Sequence, residues 1–281
     1  MFYWDPKPEI FYIPYFHWPI SWYGLLFMLG FALGVPIFAA ILSRFFAYEK
    51  KYTKKEINQK ASFLADRVII YILIGTIVGA RVGHFLFYED PSVYLEMFTL
   101  QNGGLHGLSS HGAAVGIVLA LLFFRMSIQK EYPRLSWLRL MDYLSIPAIL
   151  CGAFIRVGNF INQEILGSQT SLPWGVVFGH PADNSFPTPR HPVQLYEAAF
   201  YLLVFFVLWR LSYRASFLMK EGRIIGLFFI LVFGFRILIE FIKLEQSELL
   251  SSASIFTMGQ ILSLPLFLIG IYLMIRSKAL E

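Results

Sequence analysis

Residues 20–42 read ISWYGLLFMLGFALGVPIFAAIL, a predominantly apolar run in which no side chain is charged. About 20 such residues in an α-helix cross the hydrocarbon core of a bilayer. Residues 68–87 and 255–275 form two further runs of comparable length. The chain is therefore predicted to cross a membrane as α-helices.

Four other apolar runs contain polar side chains and are weaker candidates for spans. They cover residues 105–126, 143–157, 193–209 and 224–242. The chain of 281 residues is 57% hydrophobic and 15% charged, whereas soluble domains average about 25% charged residues. We predict an all-α integral membrane protein of about seven transmembrane helices, forming a single polytopic membrane domain over residues 1–281.

Lysine and arginine are distributed unevenly among the connecting segments. They are abundant after the first, third and fifth predicted spans and in the tail, whereas residues 88–104 contain none and residues 160–192 contain only Arg190. Because basic loops are retained in the cytoplasm, the N-terminus is predicted to be periplasmic and the C-terminus cytoplasmic. Residues 1–17 lack the basic start of a cleavable signal peptide, so the first span is expected to direct insertion itself.

The segment of residues 160–192 is rich in proline, glycine, asparagine and serine. It is predicted to be a periplasmic loop, and loops of this length are usually functional or disordered. We interpret Trp174, Val176, Val177 and Phe178 as candidates for the lipid headgroup region.

Several ionisable side chains fall within or beside predicted spans, where each costs at least about 2.5–3.5 kcal/mol to insert. They are Arg81, His84, His111, Asp142, Arg156, Glu197, Arg236 and Glu240. Pairing between helices explains any one of them, but stability alone rarely requires so many. Such residues also mark transport paths, so a transporter or lipid flippase is one reading. We find no inverted repeat between the halves of the sequence, and the polar residues concentrate towards the predicted periplasmic side, which favours an enzyme.

The densest polar run is RVGNFINQEILG, residues 156–167. Arg156 is predicted to end a span, with Asn159, Asn162 and Glu164 within about two helical turns of it. A planar guanidinium suits phosphate oxygens, and asparagine side chains suit glycerol hydroxyls or backbone groups. A polar helix cap followed by a loop is the alternative interpretation of this run.

This run resembles the signature G-R-x-G-N-F-x-N-x-E-x-x-G of the prolipoprotein diacylglyceryl transferase family, with Ile155 in place of a glycine. Other landmarks of that family follow in the expected order. Residues 21–24 resemble H-W-Y-G, residues 81–84 resemble R-x-G-Y, and residues 110–112 resemble F-H-G. Residues 190–197 match R-H-P-x-Q-L-Y-E, residues 235–241 match F-R-x-x-x-E-F, and residues 257–263 resemble S-M-G-Q-x-L-S. The resemblance therefore covers nearly the whole chain.

Three departures from the family pattern concern the expected site. Val232 stands where the family often has tyrosine, and Ser168 stands where many members have arginine. The segment before Gly112 is longer than usual and contains both His106 and His111. We assign the family histidine to His111, because Gly112 and an apolar run follow it directly, and keep His106 as the alternative.

The resemblance implies a multi-pass transferase of the bacterial inner membrane that acts in lipoprotein biosynthesis, with its active site towards the periplasm. Such an enzyme transfers the diacylglyceryl group of phosphatidylglycerol to the thiol of a lipobox cysteine in a preprolipoprotein signal peptide. A thioether forms and glycerol 1-phosphate leaves. The expected partners are phosphatidylglycerol, those signal peptides and membrane lipids, with no nucleic acid, metal or organic cofactor. An acyltransferase acting on another lipid is a further alternative.

The resemblance also leads to roles for individual residues. His111 is expected to be the general base for the thiol, and Arg156 and Arg236 are expected to clamp the departing phosphate. Glu164 completes the catalytic set by orienting an arginine or assisting proton transfer. The substrate-binding set is Tyr23, Arg81, Asn159, Gly167, Glu197 and Glu240.

Overall fold

The computed structural model describes residues 1–15, 18–90, 92, 107–244, 256–276 and 278–279. Within this part of the chain, 7 helices are long and apolar enough to cross a membrane. This confirms the predicted all-α membrane architecture of about seven spans.

The long helices have the following bounds. They are α1 (Trp22–Glu49), α2 (Lys54–Tyr88), α3 (Ser110–Ile128), α4 (Trp137–Ile161), α5 (Val193–Leu211), α7 (Arg223–Ile239) and α8 (Met258–Arg276). A short helix, α6 (Ala215–Leu218), precedes α7, and a 3-10 turn, Glu240–Ile242, continues it. The strands are β1 (Phe2–Trp4), β2 (Glu9–Ile13), β3 (Trp18–Ser21), β4 (Val176–Phe178), β5 (Pro189–Arg190), β6 (Lys220–Glu221) and β7 (Lys278–Ala279).

Helix α2 begins well before the apolar run that predicted it. Thr53 caps the helix: its backbone N–H donates to Glu56 Oε2 at 2.8 Å, and its hydroxyl accepts from the Glu56 N–H at 3.4 Å. This reciprocal capping box stabilises the first turn of a helix. The basic residues predicted in a loop after the first span therefore lie largely on α2, among them Lys54, Lys60 and Arg67.

The chain divides into two compact units. The first comprises residues 1–13, 19–37 and 142–281, and the second comprises residues 14–18 and 38–141. The single polytopic domain predicted over residues 1–281 stays a prediction.

Glycines allow close packing of helices in each unit. In the second unit, a Cβ added to Gly79 of α2 would lie 2.4 Å from the Gly112 carbonyl oxygen of α3. In the first unit, a Cβ added to Gly270 of α8 would lie 2.8 Å from the Gly226 carbonyl oxygen of α7. Small residues at such positions let helix backbones approach closely.

The predicted loop of residues 160–192 contains ordered strands. Strand β1 pairs in parallel with β4, which pairs antiparallel with β5. Val176 and Phe178 are buried against Phe160 and Leu166. Strand pairing therefore turns both side chains into a small protein core, and the location of this segment in the headgroup region stays a prediction.

Candidate functional site

A chain of polar contacts extends from the last turns of α4. The Arg156 Nη1 donates to Asn159 Oδ1 at 3.1 Å, and the Asn159 Nδ2 donates to Glu164 Oε1 at 2.7 Å. Arg156 and Asn159 share a helix face because they are three residues apart. The signature run therefore folds so that Asn159 connects Arg156 to Glu164.

The chain reverses sharply after α4, and this reversal brings Glu164 back to the helix. Gln163 and Ile165 have positive φ angles of 54° and 58°, which are uncommon for residues other than glycine. The Gln194 amide of α5 donates to the Glu164 carbonyl oxygen at 2.7 Å. Backbone strain of this kind persists only where its surroundings hold it.

Glu197 of α5 is a buried carboxylate shared by two cations. Arg156 Nε lies 3.1 Å from its Oε2, and Lys243 Nζ donates to its Oε1 at 2.9 Å. The Glu197 side chain has 0% exposure. The Arg156 contact is an ion pair without hydrogen-bond alignment, since Oε2 has no hydrogen-bond partner among the described residues.

Lys243 also connects Glu197 to the end of α7. Its Nζ lies 3.5 Å from Glu240 Oε1, and the Thr257 hydroxyl donates to Glu240 Oε2 at 3.2 Å. Burial lowers the pKa of Lys243, whereas Glu197 opposes this shift. Lys243 and its two carboxylates therefore form one charge network.

Gly167 lies beside Lys243 because two backbone segments pair there. Gly167 and Lys243 form an antiparallel bridge, and the Ser168 N–H donates to the Ile242 carbonyl oxygen at 2.9 Å. A Cβ on Gly167 would lie 2.4 Å from the His191 carbonyl oxygen. Glycine is therefore required here for close backbone approach.

Arg236 differs from Arg156 in its contacts. Its Nε is buried and has no hydrogen-bond partner within the described ranges. Tyr201 of α5 lies close enough to both arginines to interact with them electrostatically. A buried donor without a partner is costly, which marks Arg236 as a candidate for an anionic ligand.

Tyr23 packs at the same end of α4. A Cβ added to Gly158 would lie 2.7 Å from Tyr23 Cδ2, so the ring contacts the backbone next to Asn159. The first unit thus brings together Tyr23, the signature run, and the acidic and basic residues of α5 and α7.

Arg81 and His111 belong to the second unit. Arg81 is 3% exposed, donates from Nη1 to the Gly107 carbonyl oxygen at 3.2 Å, and lies over the Phe85 ring. His111 is exposed near the start of α3 and has no hydrogen bond or ion pair to the other described residues. His106 lies outside the described residues.

Comparison with known proteins assigns the chain to a family. The family model described as prolipoprotein diacylglyceryl transferase matches residues 8–276. The chain belongs to the prolipoprotein diacylglyceryl transferase family. A phosphatidylglycerol–prolipoprotein diacylglyceryl transferase of Protochlamydia amoebophila is 34% identical, covering 98% of this chain and 95% of the relative. Proteins of the same name from Tolumonas auensis and Chlamydia caviae are each 38% identical, covering 99% and 92% of this chain and 98% and 87% of those relatives.

In this member of the prolipoprotein diacylglyceryl transferase family, sequence reasoning missed two residues of the cluster. Lys243 lies three residues after Glu240 and Tyr201 lies four residues after Glu197. Residues four apart share a helix face, so extending the α5 motif by one turn would have found Tyr201. Lys243 is the extended residue that ends the 3-10 turn, and only its closeness to Glu240 in the sequence marked it.

In the described part of the chain, no three or more His, Cys, Asp or Glu side chains are grouped so that they could hold a metal ion. The expectation that no metal or organic cofactor takes part stays a prediction.

Proposed function

We propose that this chain transfers the diacylglyceryl group of phosphatidylglycerol to the thiol of a lipobox cysteine in a preprolipoprotein. Family membership supports the reaction, and the buried Arg156–Glu197–Lys243 network beside Arg236 supports a site for a phosphate ester. The thiol loses its proton and its sulfur forms a bond to the glycerol carbon. The bond between that carbon and the phosphate oxygen breaks, and glycerol 1-phosphate leaves with the electron pair.

Stabilisation of the departing phosphate is the role proposed for Arg156 and Arg236. Negative charge grows on the phosphate as the carbon–oxygen bond breaks, and preorganised donors in a dry site stabilise such charge strongly. Arg156 is held by Asn159 and Glu197, whereas the Nε of Arg236 has no hydrogen-bond partner among the described residues. Arg236 therefore has an N–H group available to bind the phosphate, whereas the guanidinium of Arg156 is held in place by its protein contacts.

Proton removal is the role proposed for His111. An unperturbed cysteine thiol has a pKa of about 8.5, so a base accelerates formation of the reactive thiolate. Histidine side chains titrate near neutral pH and are common general bases. His111 is exposed at the start of α3, where it is accessible to a substrate; His106 is the alternative.

The other residues bind and orient the lipid in this proposal. Tyr23 and Asn159 hold the headgroup or glycerol, and Gly167 shapes the site by permitting close backbone approach. Glu164 positions Asn159 or assists proton transfer. Arg81, Glu197 and Glu240 complete the binding set, with the two carboxylates acting through Lys243 and Arg156.

The proposed location is the bacterial inner membrane, with the active site and the N-terminus towards the periplasm and the C-terminus in the cytoplasm. The uneven distribution of basic residues supports this orientation. The segment of residues 160–192 is then periplasmic, and the lipid substrate enters from the bilayer.

The experiment uses purified protein, phosphatidylglycerol and a lipobox peptide with one cysteine. We expect the peptide to gain the mass of a complete diacylglyceryl group while an equal amount of glycerol phosphate appears. The thioether should survive mild alkali that removes the ester-linked chains. A matched peptide with serine in place of cysteine should not react, because a hydroxyl is the weaker nucleophile at neutral pH.

Two other outcomes would contradict the proposal. Addition of a single acyl chain with release of a lysolipid would identify an acyltransferase. An unmodified peptide together with movement of lipid across vesicles would identify a transporter.

A further inference from the structure

The N-terminal strand β1 docks against the end of α4. The Trp4 indole donates from Nε1 to the Phe160 carbonyl oxygen at 3.1 Å. The Trp4 and Phe160 rings stack with centroids 4.8 Å apart. On its other side, the Trp4 carbonyl oxygen accepts from the Gly179 N–H at 3.0 Å. Trp4 is therefore fixed between α4 and the segment that follows β4.

Asp5 makes the next set of contacts. Its Oδ1 accepts from the Gln163 Nε2 at 3.0 Å and lies 2.7 Å from the His180 Nδ1. The Gln163 Oε1 accepts from the His180 backbone N–H at 2.8 Å. Hydrogen bonds, first from His180 and then from Gln163, lower the pKa of Asp5. Asp5, Gln163 and His180 thus form a closed polar triangle.

These contacts hold both ends of one turn of the candidate site. Phe160 directly follows Asn159, and Gln163 directly precedes Glu164. Gln163 is 3% exposed and has a φ of 54°, a conformation that requires support from its surroundings. Trp4 and Asp5 supply that support through one backbone carbonyl and one side-chain amide.

We infer that Trp4 and Asp5 are positioning residues for the phosphate-binding end of the site. They fix the turn after α4 so that Asn159 can contact Arg156 and Glu164 together. The inference rests on the proposed function, because Asn159 is placed there at the lipid headgroup. The inference predicts that substitutions of Trp4 or Asp5 change the KM for phosphatidylglycerol more than the KM for the peptide.

The first test compares two indole-to-carbonyl hydrogen bonds of equal length. Trp4→Phe keeps an aromatic ring on Phe160 but loses the indole donor. The control is Trp137→Phe, since Trp137 donates to the Val118 carbonyl oxygen at 3.1 Å within the second unit. Steady-state transfer is measured in mixed micelles while phosphatidylglycerol and the lipobox peptide are varied separately.

The expected result is a rise of about fivefold in the KM for phosphatidylglycerol in Trp4→Phe, the factor that corresponds to one neutral hydrogen bond. The KM for the peptide should change by less than about twofold, within the scatter of surface substitutions. Trp137→Phe should leave both values unchanged. An unchanged lipid KM in Trp4→Phe, or an equal rise in the control, would overturn the inference.

The second test exchanges the two partners of a hydrogen bond. Asp5→Asn should raise the lipid KM about fivefold, because the hydrogen bonds that Oδ1 accepts from Gln163 and His180 lose their charge assistance. Gln163→Glu should be at least as harmful, since it places two carboxylates together. The double change Asp5→Asn with Gln163→Glu restores one donor and one carboxylate, and should recover most of the affinity.

The experiment distinguishes a wrong positioning role for Asp5 and Gln163 from a wrong proposed function. A double variant no better than either single variant, with a normal unfolding temperature, would show that the triangle does not position the site. A wild-type protein that leaves the peptide unmodified would instead defeat the transferase proposal itself.

Discussion

Lys243 Nζ lies 2.9 Å from Oε1 of Glu197, a carboxylate with 0% exposure. The other oxygen of that carboxylate lies 3.1 Å from Arg156 Nε. A buried carboxylate needs compensation by cations, and removal of one partner from such a pair costs about 3–5 kcal/mol. The Glu197 side chain of α5 therefore connects Arg156 on α4 to Lys243, which follows the 3-10 turn at the end of α7.

Replacing Lys243 with methionine should lower both stability and transfer. The change leaves Glu197 with one cation and should cost about 3–5 kcal/mol, with transfer at least about tenfold lower. Lys243→Arg should retain most activity, because it keeps the positive charge. Thermal unfolding and transfer of the same preparations measure both effects.

The matched control for Lys243→Met is Lys60→Met. Lys60 lies 4.0 Å from Glu131 in the second unit, and their side chains are 28% and 63% exposed. Ion pairs this open to solvent contribute little. Equal losses in the two variants would contradict a special role for the buried network.

Arg156→Lys should fail to support transfer even though the charge is kept. Lysine is a point donor and cannot contact Asn159, Glu197 and a phosphate in the fork geometry of a guanidinium. We expect normal membrane levels with transfer at least about tenfold lower. Immunoblots and the peptide mass shift provide the two measurements.

Arg125→Lys serves as the control for that prediction. Arg125 donates to the Pro133 carbonyl oxygen at 3.3 Å in an exposed part of the second unit. Full transfer by Arg156→Lys would mean that charge alone is sufficient.

The two histidines before α3 are predicted to differ. His111→Ala should abolish alkylation of the thiol, because the proposed base is lost, whereas His106→Ala should retain it. Thiol modification is compared at neutral and alkaline pH, since a higher pH supplies thiolate without a base and should partly rescue His111→Ala. The reverse pattern would transfer the family role to His106.

Topology can be tested with single engineered cysteines in a Cys151→Ala background, because Cys151 is the only cysteine in the chain. Phe186 is 89% exposed in the segment of residues 160–192, and Lys54 is exposed at the start of α2. A membrane-impermeant maleimide should label Phe186→Cys in intact cells but not Lys54→Cys. Labelling of Lys54→Cys alone would reverse the proposed orientation.

The contribution of Asp5 to the stability of the folded protein should depend on pH. Its pKa is lowered in the folded protein, mainly by the hydrogen bond with His180. A carboxyl whose pKa is lower in the folded protein stabilises the fold at pH values above its pKa in the unfolded chain. This stabilisation is lost as the pH falls through its pKa in the folded protein. Wild type should therefore unfold at a higher temperature than Asp5→Asn near neutral pH, and the difference should shrink on acidification. A difference that grows in acid would contradict this assignment.

Span number and helix type were predictable from the sequence because both depend on local composition. Residues 20–42 are long and apolar enough to span a bilayer whatever they pack against. The reacting candidates on α4 were also visible, since Arg156 and Asn159 are neighbours on any helix that contains them. The early start of α2 was encoded locally as well, in the capping pair Thr53 and Glu56.

The three-stranded sheet formed by β1, β4 and β5 was not predictable in the same way. β4 has three residues and β5 has two, too few to show the alternation that marks a strand. Their pairing with β1 joins residues more than 170 positions apart, as in Phe2 with Val176. Only the folded chain brings Trp4 to Phe160 and Asp5 to Gln163.

The sequence by itself determined that the chain spans a membrane, which family signature it carries and which charged residues lie within its helices. The tertiary structure alone decided how those charges are partnered: Glu197 pairs with Arg156 and with Lys243, which is 46 residues away. Apolar length and helical spacing act between near neighbours in the chain. Ion pairs between helices depend on which faces pack together, and that follows from the packing of the whole unit.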